Sequence, residues 1–215
     1  MEGMIVATLK ATEVSKTVQG QALLATVSAD VHAGECLAVV GANGTGKTTL
    51  LRIIGGLMKP SAGAVTLDGA WIDERSAAQR GAIASLIGAP ALYPDMTVEE
   101  HLELICATWG IPSPHAPGHV EDMLSMFELG ALRDRFAHEL SSGQLQMFAV
   151  AQVFTRPFSV LILDEPEQRL DAQRLAIVAE SIRRVKREGA AVVLASHSAE
   201  LVDSVADRTL RLDVP

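Results

Sequence analysis

The sequence has few aromatic residues, few cysteines and no excess of basic charge, and each scarcity excludes a class of protein. Aromatic side chains make up 4% of the 215 residues, with a single tyrosine, which argues against a surface that stacks on single-stranded nucleic acid. Acidic residues outnumber basic ones by 26 to 18, so we expect no nucleic-acid partner. Cys36 and Cys106 lack the spacing of a metal site and predict buried thiols in a reducing compartment.

Long apolar runs and a secretory leader are also missing. No apolar run reaches about 18 residues, the length at which a run predicts a membrane-spanning helix. The N-terminus, MEGMIVATLK, has neither a basic n-region nor a long apolar h-region. The length and the 48% apolar composition are typical of one globular domain with a substantial core.

Short apolar runs alternate with helical patterns over most of the chain. The predicted strands are Met4–Leu9, Leu23–Val31, Cys36–Val40, Ala64–Leu67, Ala82–Ile87, Val160–Leu163 and Ala191–Ala195. Helical spacing predicts one helix over 50–57 and another that ends at Gly189. Strands that alternate with helices indicate an α/β fold with a largely parallel sheet.

The middle of the chain is mostly helical by pattern. Two capping boxes, Thr97 with Glu100 and Ser141 with Gln144, each predict the start of a helix. A further helix is predicted at Val120–Phe127, after a stretch rich in proline and glycine that predicts a surface loop.

A glycine-rich segment follows the strand Cys36–Val40 and precedes a helix. It consists of Gly41, Ala42, Asn43, Gly44, Thr45, Gly46, Lys47 and Thr48, and it matches the P-loop pattern G-x-x-x-x-G-K-[ST]. Glycines let consecutive N–H groups turn towards phosphate oxygens, and the helix start adds partial positive charge. We expect Lys47 to reach the β- and γ-phosphates of a nucleotide, Thr48 to bind Mg²⁺, and Thr49 to complete the nucleotide site. The alternative is a glycine-rich turn with a surface lysine.

Two carboxylates end the aliphatic run Val160–Leu163, where burial makes a charge costly unless it has a partner. We expect Asp164 to hold Mg²⁺ and Glu165 to act as the general base for an attacking water. The alternative is a pair of solvated acids. His197 follows the strand Ala191–Ala195, and all three polar clusters fall at carboxyl ends of strands, where ligands of parallel sheets bind.

Further motifs stand in the order found in ATP-binding cassette (ABC) ATPases, which the chain resembles over almost its full length. They are the signature-like segment Leu140–Gln144, the triplet Asp164-Glu165-Pro166, the pair Leu170-Asp171, and His197. The resemblance implies a P-loop NTPase core with a mostly parallel sheet, antiparallel N-terminal strands and an inserted helical subdomain. It implies one domain over 1–215, with the core at 1–90 and 156–215 and the helical subdomain at 91–155.

The same resemblance implies the roles of residues in a dimer. Two cassettes, identical or different, would sandwich two nucleotides, with Glu165, His197 and Lys47 as the catalytic residues of each. The resemblance assigns the cap over the partner's γ-phosphate to Ser141, Ser142, Gly143 and Gln144. Asp171 would belong to the D-loop between the two sites.

Two single positions and one three-residue segment depart from the family pattern. Val18 stands where an aromatic residue usually stacks on adenine, and Gly88 stands where the Q-loop glutamine is expected. The bulky residues Glu167, Gln168 and Arg169 replace small residues of the D-loop, and we expect them near the dimer seam.

The function implied is that of a Mg²⁺-dependent ATPase subunit of an ABC transporter. It would lie on the cytoplasmic face of the membrane and power a separate membrane-spanning permease. The compact chain, with no regulatory domain expected after the last strand, and the segment 87–98 favour an exporter. The alternatives are a soluble ABC ATPase without a transport role and a degenerate cassette that needs a catalytic partner.

Overall fold

The structure, a computed structural model of the chain, describes residues 8–73 and 75–214. Its strands form two sheets. An antiparallel sheet, in the order β2-β1-β4-β5, contains β1 (Thr8–Val18), β2 (Gln21–His32), β4 (Ala62–Leu67) and β5 (Ala70–Trp71). A parallel sheet, in the order β6-β7-β8-β3-β9, contains β3 (Cys36–Val40), β6 (Ile83–Leu86), β7 (Val160–Asp164), β8 (Ala191–Ala195) and β9 (Arg208–Arg211). The predicted fold class is confirmed.

Seven α-helices and two short 3-10 helices, Gly130–Leu132 and Ala137–Glu139, connect these strands in the part of the chain that the structure describes. The α-helices are α1 (Lys47–Ile54), α2 (Ala77–Ala82), α3 (Val98–Thr108), α4 (Ala116–Met126), α5 (Ser142–Thr155), α6 (Ala172–Arg187) and α7 (Ala199–Val205). Both predicted capping boxes are present: Thr97 exchanges hydrogen bonds with Glu100, and Ser141 with Gln144. None of the described helices is long and apolar enough to cross a lipid bilayer.

Several predicted elements have different ends in the structure. Residues 4–7 of the predicted strand Met4–Leu9 lie outside the described residues, and the strand continues to Val18 rather than ending at Leu9. The register shifts between Ala11 and Thr17 interrupt the alternation of buried and exposed side chains that predicts a strand. Helix α1 ends at Ile54 because Gly55 and Gly56 follow it, the latter with φ of +75°.

Other differences concern short or proline-containing segments. Helix α4 begins at Ala116, inside the predicted loop, because proline is tolerated in the first turn of a helix. The elements α2, α7, β5 and β9 were not predicted; none exceeds seven residues, too short for a periodic pattern.

The two faces of the parallel sheet are covered by different layers. Side chains of β7 alternate between them: Val160 and Ile162 pack with α1 and the antiparallel sheet, whereas Leu161 and Leu163 pack with α3–α6. Buried residues of α5, such as Phe148, share one hydrophobic cluster with the sheet. The boundaries 91–155 of a helical subdomain stay a prediction.

Candidate active site

The fold brings together the three polar clusters that follow strands of the parallel sheet. Strands β7, β8 and β3 are neighbours, with Asp164 beside Ala195 and Ala195 beside Val39. Because the strands are parallel, the segments after them meet at one edge of the sheet. The P-loop, the Asp164-Glu165 pair and His197 therefore lie close together at this edge, where Thr48 and Glu165 line two pockets.

The P-loop lies against the antiparallel sheet and has no room for larger residues at its last glycine. Gly46 has a φ of +93° and precedes α1. A Cβ atom at this position would lie 2.5 Å from the carbonyl oxygen of Leu23, a contact that side chains do not tolerate. Leu23 also lines the pocket beside Lys47, so strand β2 forms one wall of the predicted phosphate site.

Lys47 is buried within its own loop, with 6% of its surface exposed. Its Nζ donates hydrogen bonds to the carbonyl oxygens of Gly41 at 3.0 Å and Ala42 at 3.2 Å. Among the described residues it forms no ion pair within 4.0 Å. The ammonium group is thus held by neutral partners, an arrangement that leaves its charge available to an anion.

Thr48 and Asp164 meet across the cleft although they are far apart in sequence. The Thr48 hydroxyl donates to Asp164 Oδ2 at 2.7 Å, and Asp164 Oδ1 is buried without a hydrogen-bond partner among the described residues. Burial raises the pKa of the Asp164 carboxyl group. Hydroxyl and carboxylate oxygens are the ligands that Mg²⁺ prefers, so these two side chains fit that ion.

Glu165 contacts His197 and Gln168 through its two carboxylate oxygens. His197 Nε2 lies 3.1 Å from Glu165 Oε1, and Gln168 Nε2 donates to Oε2. The backbone of Glu165 is left-handed, with φ of +51°, and its N–H donates to Ala195 O at 2.8 Å. The carboxylate also lines the pocket that Lys47 lines, where it can accept a proton from a bound water.

The signature-like segment forms the start of α5. Ser141 and Ser142 are exposed, and Ser142 lines a cleft shared with Thr48 and Glu165. The Ser141 hydroxyl accepts from the N–H of Gln144, so both side chains cap their own helix. A Cβ at Gly143 would lie 2.9 Å from Arg169 O, because the helix start packs closely against the turn after Asp164.

Asp171 and Val18 lie in different surroundings. Asp171 is the N-cap of α6, where it accepts from the N–H of Arg174 at 2.9 Å. Val18 ends β1 with 44% of its surface exposed, opposite Gln21, which lines the pocket of the P-loop. The strand thus places residue 18 at the margin of that pocket.

Gly88 lines the same cleft as Thr48 and Asp164, and a Cβ there would meet nothing within 4 Å. The segment after Gly88 is held by His101, whose side chain is buried. His101 Nε2 accepts from the N–H of Tyr93 at 2.9 Å, which leaves the ring proton on Nδ1 to be donated to Thr97 O at 2.7 Å.

The sequence did not predict the contacts of Glu167 and Gln168, which it placed near a dimer seam. Within the chain, Glu167 accepts hydrogen bonds from Ser196, His197 and Ser198, whereas Gln168 contacts Glu165. The only sequence signal was the bulk and polarity of these residues in a segment where the family has small ones.

The family model described as ABC transporter matches residues 24–168. The Fe(3+) ions import ATP-binding protein FbpC of Escherichia coli (strain K12) is 31% identical over 175 residues, which cover 81% of this chain and 50% of FbpC. The ABC transporter ATP-binding protein NatA of Bacillus subtilis (strain 168) is 30% identical over 187 residues, which cover 86% of this chain and 76% of NatA. The chain therefore spans about half the length of FbpC and about three quarters of NatA.

Two solved structures have the same fold. An ATP-binding subunit of an ABC transporter superposes with a TM-score of 0.87 at 28% identity, covering 96% of this chain and 86% of that one. A dimeric ATP-binding cassette in a post-hydrolysis state with ADP and Pi superposes with a TM-score of 0.86 at 24% identity, covering 96% of this chain and 94% of that one.

Proposed function

Because the chain belongs to the ABC transporter family of ATP-binding proteins, we propose that it binds MgATP and hydrolyses it to power a separate membrane-spanning subunit. The observation that carries the proposal is the hydrogen bond from Thr48 to Asp164 at 2.7 Å. It joins the P-loop to the carboxylate pair, and Glu165 lies in the same pocket as Lys47.

Each side chain at the cleft has a role that its position supports. Lys47 and the N–H groups of the P-loop bind the phosphates, as a glycine-rich loop before a helix does. Thr48 and Asp164 hold Mg²⁺, which when bound supplies positive charge to the phosphate oxygens. Glu165 accepts the proton of the attacking water, and His197 orients that carboxylate through the contact at 3.1 Å.

The proposal includes a second cassette, identical to this chain or different from it. The exposed start of α5 offers the N–H groups of a helix terminus on the surface, where a phosphate of another subunit can reach them. Ser141, Ser142, Gly143 and Gln144 would cap the γ-phosphate in the partner's P-loop, and Asp171 would lie at the seam.

The named relatives support a transporter but not the expected export. FbpC is named for import of Fe(3+) ions, and a further relative, 32% identical over 201 residues, is the putrescine transport protein PotG of Escherichia coli (strain K12). FbpC and two spermidine/putrescine relatives are named for import, so the exporter expectation has no support, and the proposal gives no direction. The proposal places this subunit on the cytoplasmic face of the membrane, in contact with the proposed permease.

The two alternatives are less well supported. The transporter names of the relatives disfavour a soluble ATPase without a transport role. Lys47, Thr48 and Glu165 line one pocket, Thr48 donates to Asp164, and His197 contacts Glu165, and these links disfavour a degenerate cassette.

Phosphate release from ATP and Mg²⁺ by the purified chain tests the proposal. Loss of a general base lowers a rate by a factor of about 10²–10⁴, so Glu165→Gln should reduce hydrolysis by that factor while ATP still binds. The control is Glu103→Gln, the same change at an exposed glutamate of α3, which should leave the rate unchanged. If the Glu165→Gln variant hydrolyses ATP at the wild-type rate, the assignment of Glu165 as the general base is refuted. Co-purification with a polytopic membrane protein tests the transport role.

A further inference from the structure

Glu167 binds the loop that contains His197 through one carboxylate oxygen. Glu167 Oε1 accepts from the Ser196 hydroxyl at 2.6 Å, from the backbone N–H of His197 at 2.8 Å and from that of Ser198 at 3.3 Å. Ser196 is buried, with 2% of its surface exposed. Hydrogen bonds to an ionised acceptor are stronger than those between neutral groups, so this carboxylate holds three consecutive residues in place.

The same loop determines where the imidazole of His197 lies. Its Nε2 is 3.1 Å from Glu165 Oε1, and Glu165 is only two residues from Glu167 in sequence. The His197 N–H has Glu167 as its only hydrogen-bond partner among the described residues, whereas the Ser198 N–H also donates to Ser196 Oγ at 3.0 Å. Removal of the Glu167 carboxylate would therefore free the backbone of His197 first.

We propose that Glu167 is a positioning residue for hydrolysis: it fixes the loop 196–198 so that His197 contacts Glu165. Glu167 acts through His197 and does not itself touch the nucleotide. This inference rests on the proposed ATPase function and adds one residue to it. The other role open to Glu167 is purely structural, as an additional cap before helix α7, whose side-chain cap is Ser198.

Enzyme kinetics separate the two roles. A small displacement of a catalytic group costs up to about 10²-fold in rate, so Glu167→Ala should lower kcat by about tenfold to a hundredfold with little change in KM for ATP. Glu167→Gln should recover part of kcat, because an amide oxygen still accepts hydrogen bonds from the loop but lacks the charge of the carboxylate. Thr97→Ala is the control: it removes the cap of α3, destabilises the fold and should keep kcat.

A double-mutant cycle shows whether Glu167 acts through His197. If it does, Glu167→Ala should lower the rate by less than about twofold further in a chain that already has His197→Ala. The inference would be overturned if Glu167→Ala lowered kcat equally with and without His197. It would also be overturned if Thr97→Ala lowered kcat as much as Glu167→Ala does.

NMR of the His197 ring tests the same contact without any hydrolysis. The ¹⁵N resonance of Nε2 should move in Glu167→Ala in the same direction as in Glu165→Gln, and should stay in place in Thr97→Ala. A chain that neither binds nor hydrolyses ATP refutes the proposed function, and in that case this resonance still shows whether Glu167 holds His197 in contact with Glu165. An unmoved His197 resonance in folded Glu167→Ala overturns the inference whatever the rates are.

Discussion

Replacement of Lys47 by methionine should separate stability from nucleotide affinity. Methionine keeps most of the apolar stem of lysine and removes the ammonium group with its three donors. In the structure the ammonium donates to Gly41 O and Ala42 O. Ala42 O also accepts from the Thr45 hydroxyl at 2.9 Å, so Gly41 O alone is left without a partner among the described residues.

The two magnitudes follow from these contacts. Loss of one hydrogen bond costs about 1 kcal/mol, and removal of a buried charge without a carboxylate partner offsets part of that cost. We therefore expect the free energy of unfolding to change by less than about 1 kcal/mol. Two hydrogen bonds from Lys47 to phosphate, at about 1.5–3 kcal/mol each, correspond to a loss of about 10²–10⁴-fold in ATP affinity.

Urea denaturation measures the first quantity and calorimetric titration with ATP and Mg²⁺ measures the second. Lys10→Met is the matched control, because Lys10 is exposed on β1; it should change neither quantity. A dissociation constant of Lys47→Met within about threefold of the wild-type value would refute the phosphate-binding role of Lys47. A loss of more than about 3 kcal/mol of stability would refute the view that its charge contributes little to the ligand-free fold.

Three other substitutions test separate parts of the site. Val18→Tyr should tighten ATP binding by up to about 1–3 kcal/mol if residue 18 faces adenine, and an unchanged dissociation constant would show that it does not. Ser141→Arg should abolish hydrolysis while the isolated subunit still binds ATP; a collapse of that affinity would place the signature in the subunit's own pocket. His101→Phe leaves the Tyr93 N–H without its acceptor and should lower the free energy of unfolding by about 1–3 kcal/mol, measured with urea. The same replacement at exposed His138 should have a smaller effect, and equal effects would contradict the importance of the buried hydrogen bond.

The parts of the fold that the sequence predicts best are those whose patterns arise from local physics. Strands β3, β7 and β8 are buried on both faces and therefore appear as continuous aliphatic runs. The capping boxes of α3 and α5 require only residues three positions apart. Strand β1 is predicted poorly because its irregular register depends on pairing with β2 and β4.

In the site, too, local patterns are predictable from the sequence and contacts between distant segments are not. The P-loop is predicted because its spacing and its place between a strand and a helix are visible in one short segment. The hydrogen bond between Thr48 and Asp164 joins residues from distant segments, and only the strand order brings them together. The contacts of Glu167 could not be predicted, because its partners come from another strand end and no spacing rule relates them.

The burial of helix α5 has a consequence for motion within the subunit. Every residue from Met147 to Thr155 is buried, and the helix packs in one cluster with the sheet. Near its start, Gln146 Nε2 donates to Pro166 O at 3.1 Å, in the turn that contains Glu165 and Glu167. A force applied to α5 would therefore reach this turn through the hydrogen bond of Gln146. A binding partner that presses on the helix could change the rate of hydrolysis without entering the nucleotide pocket.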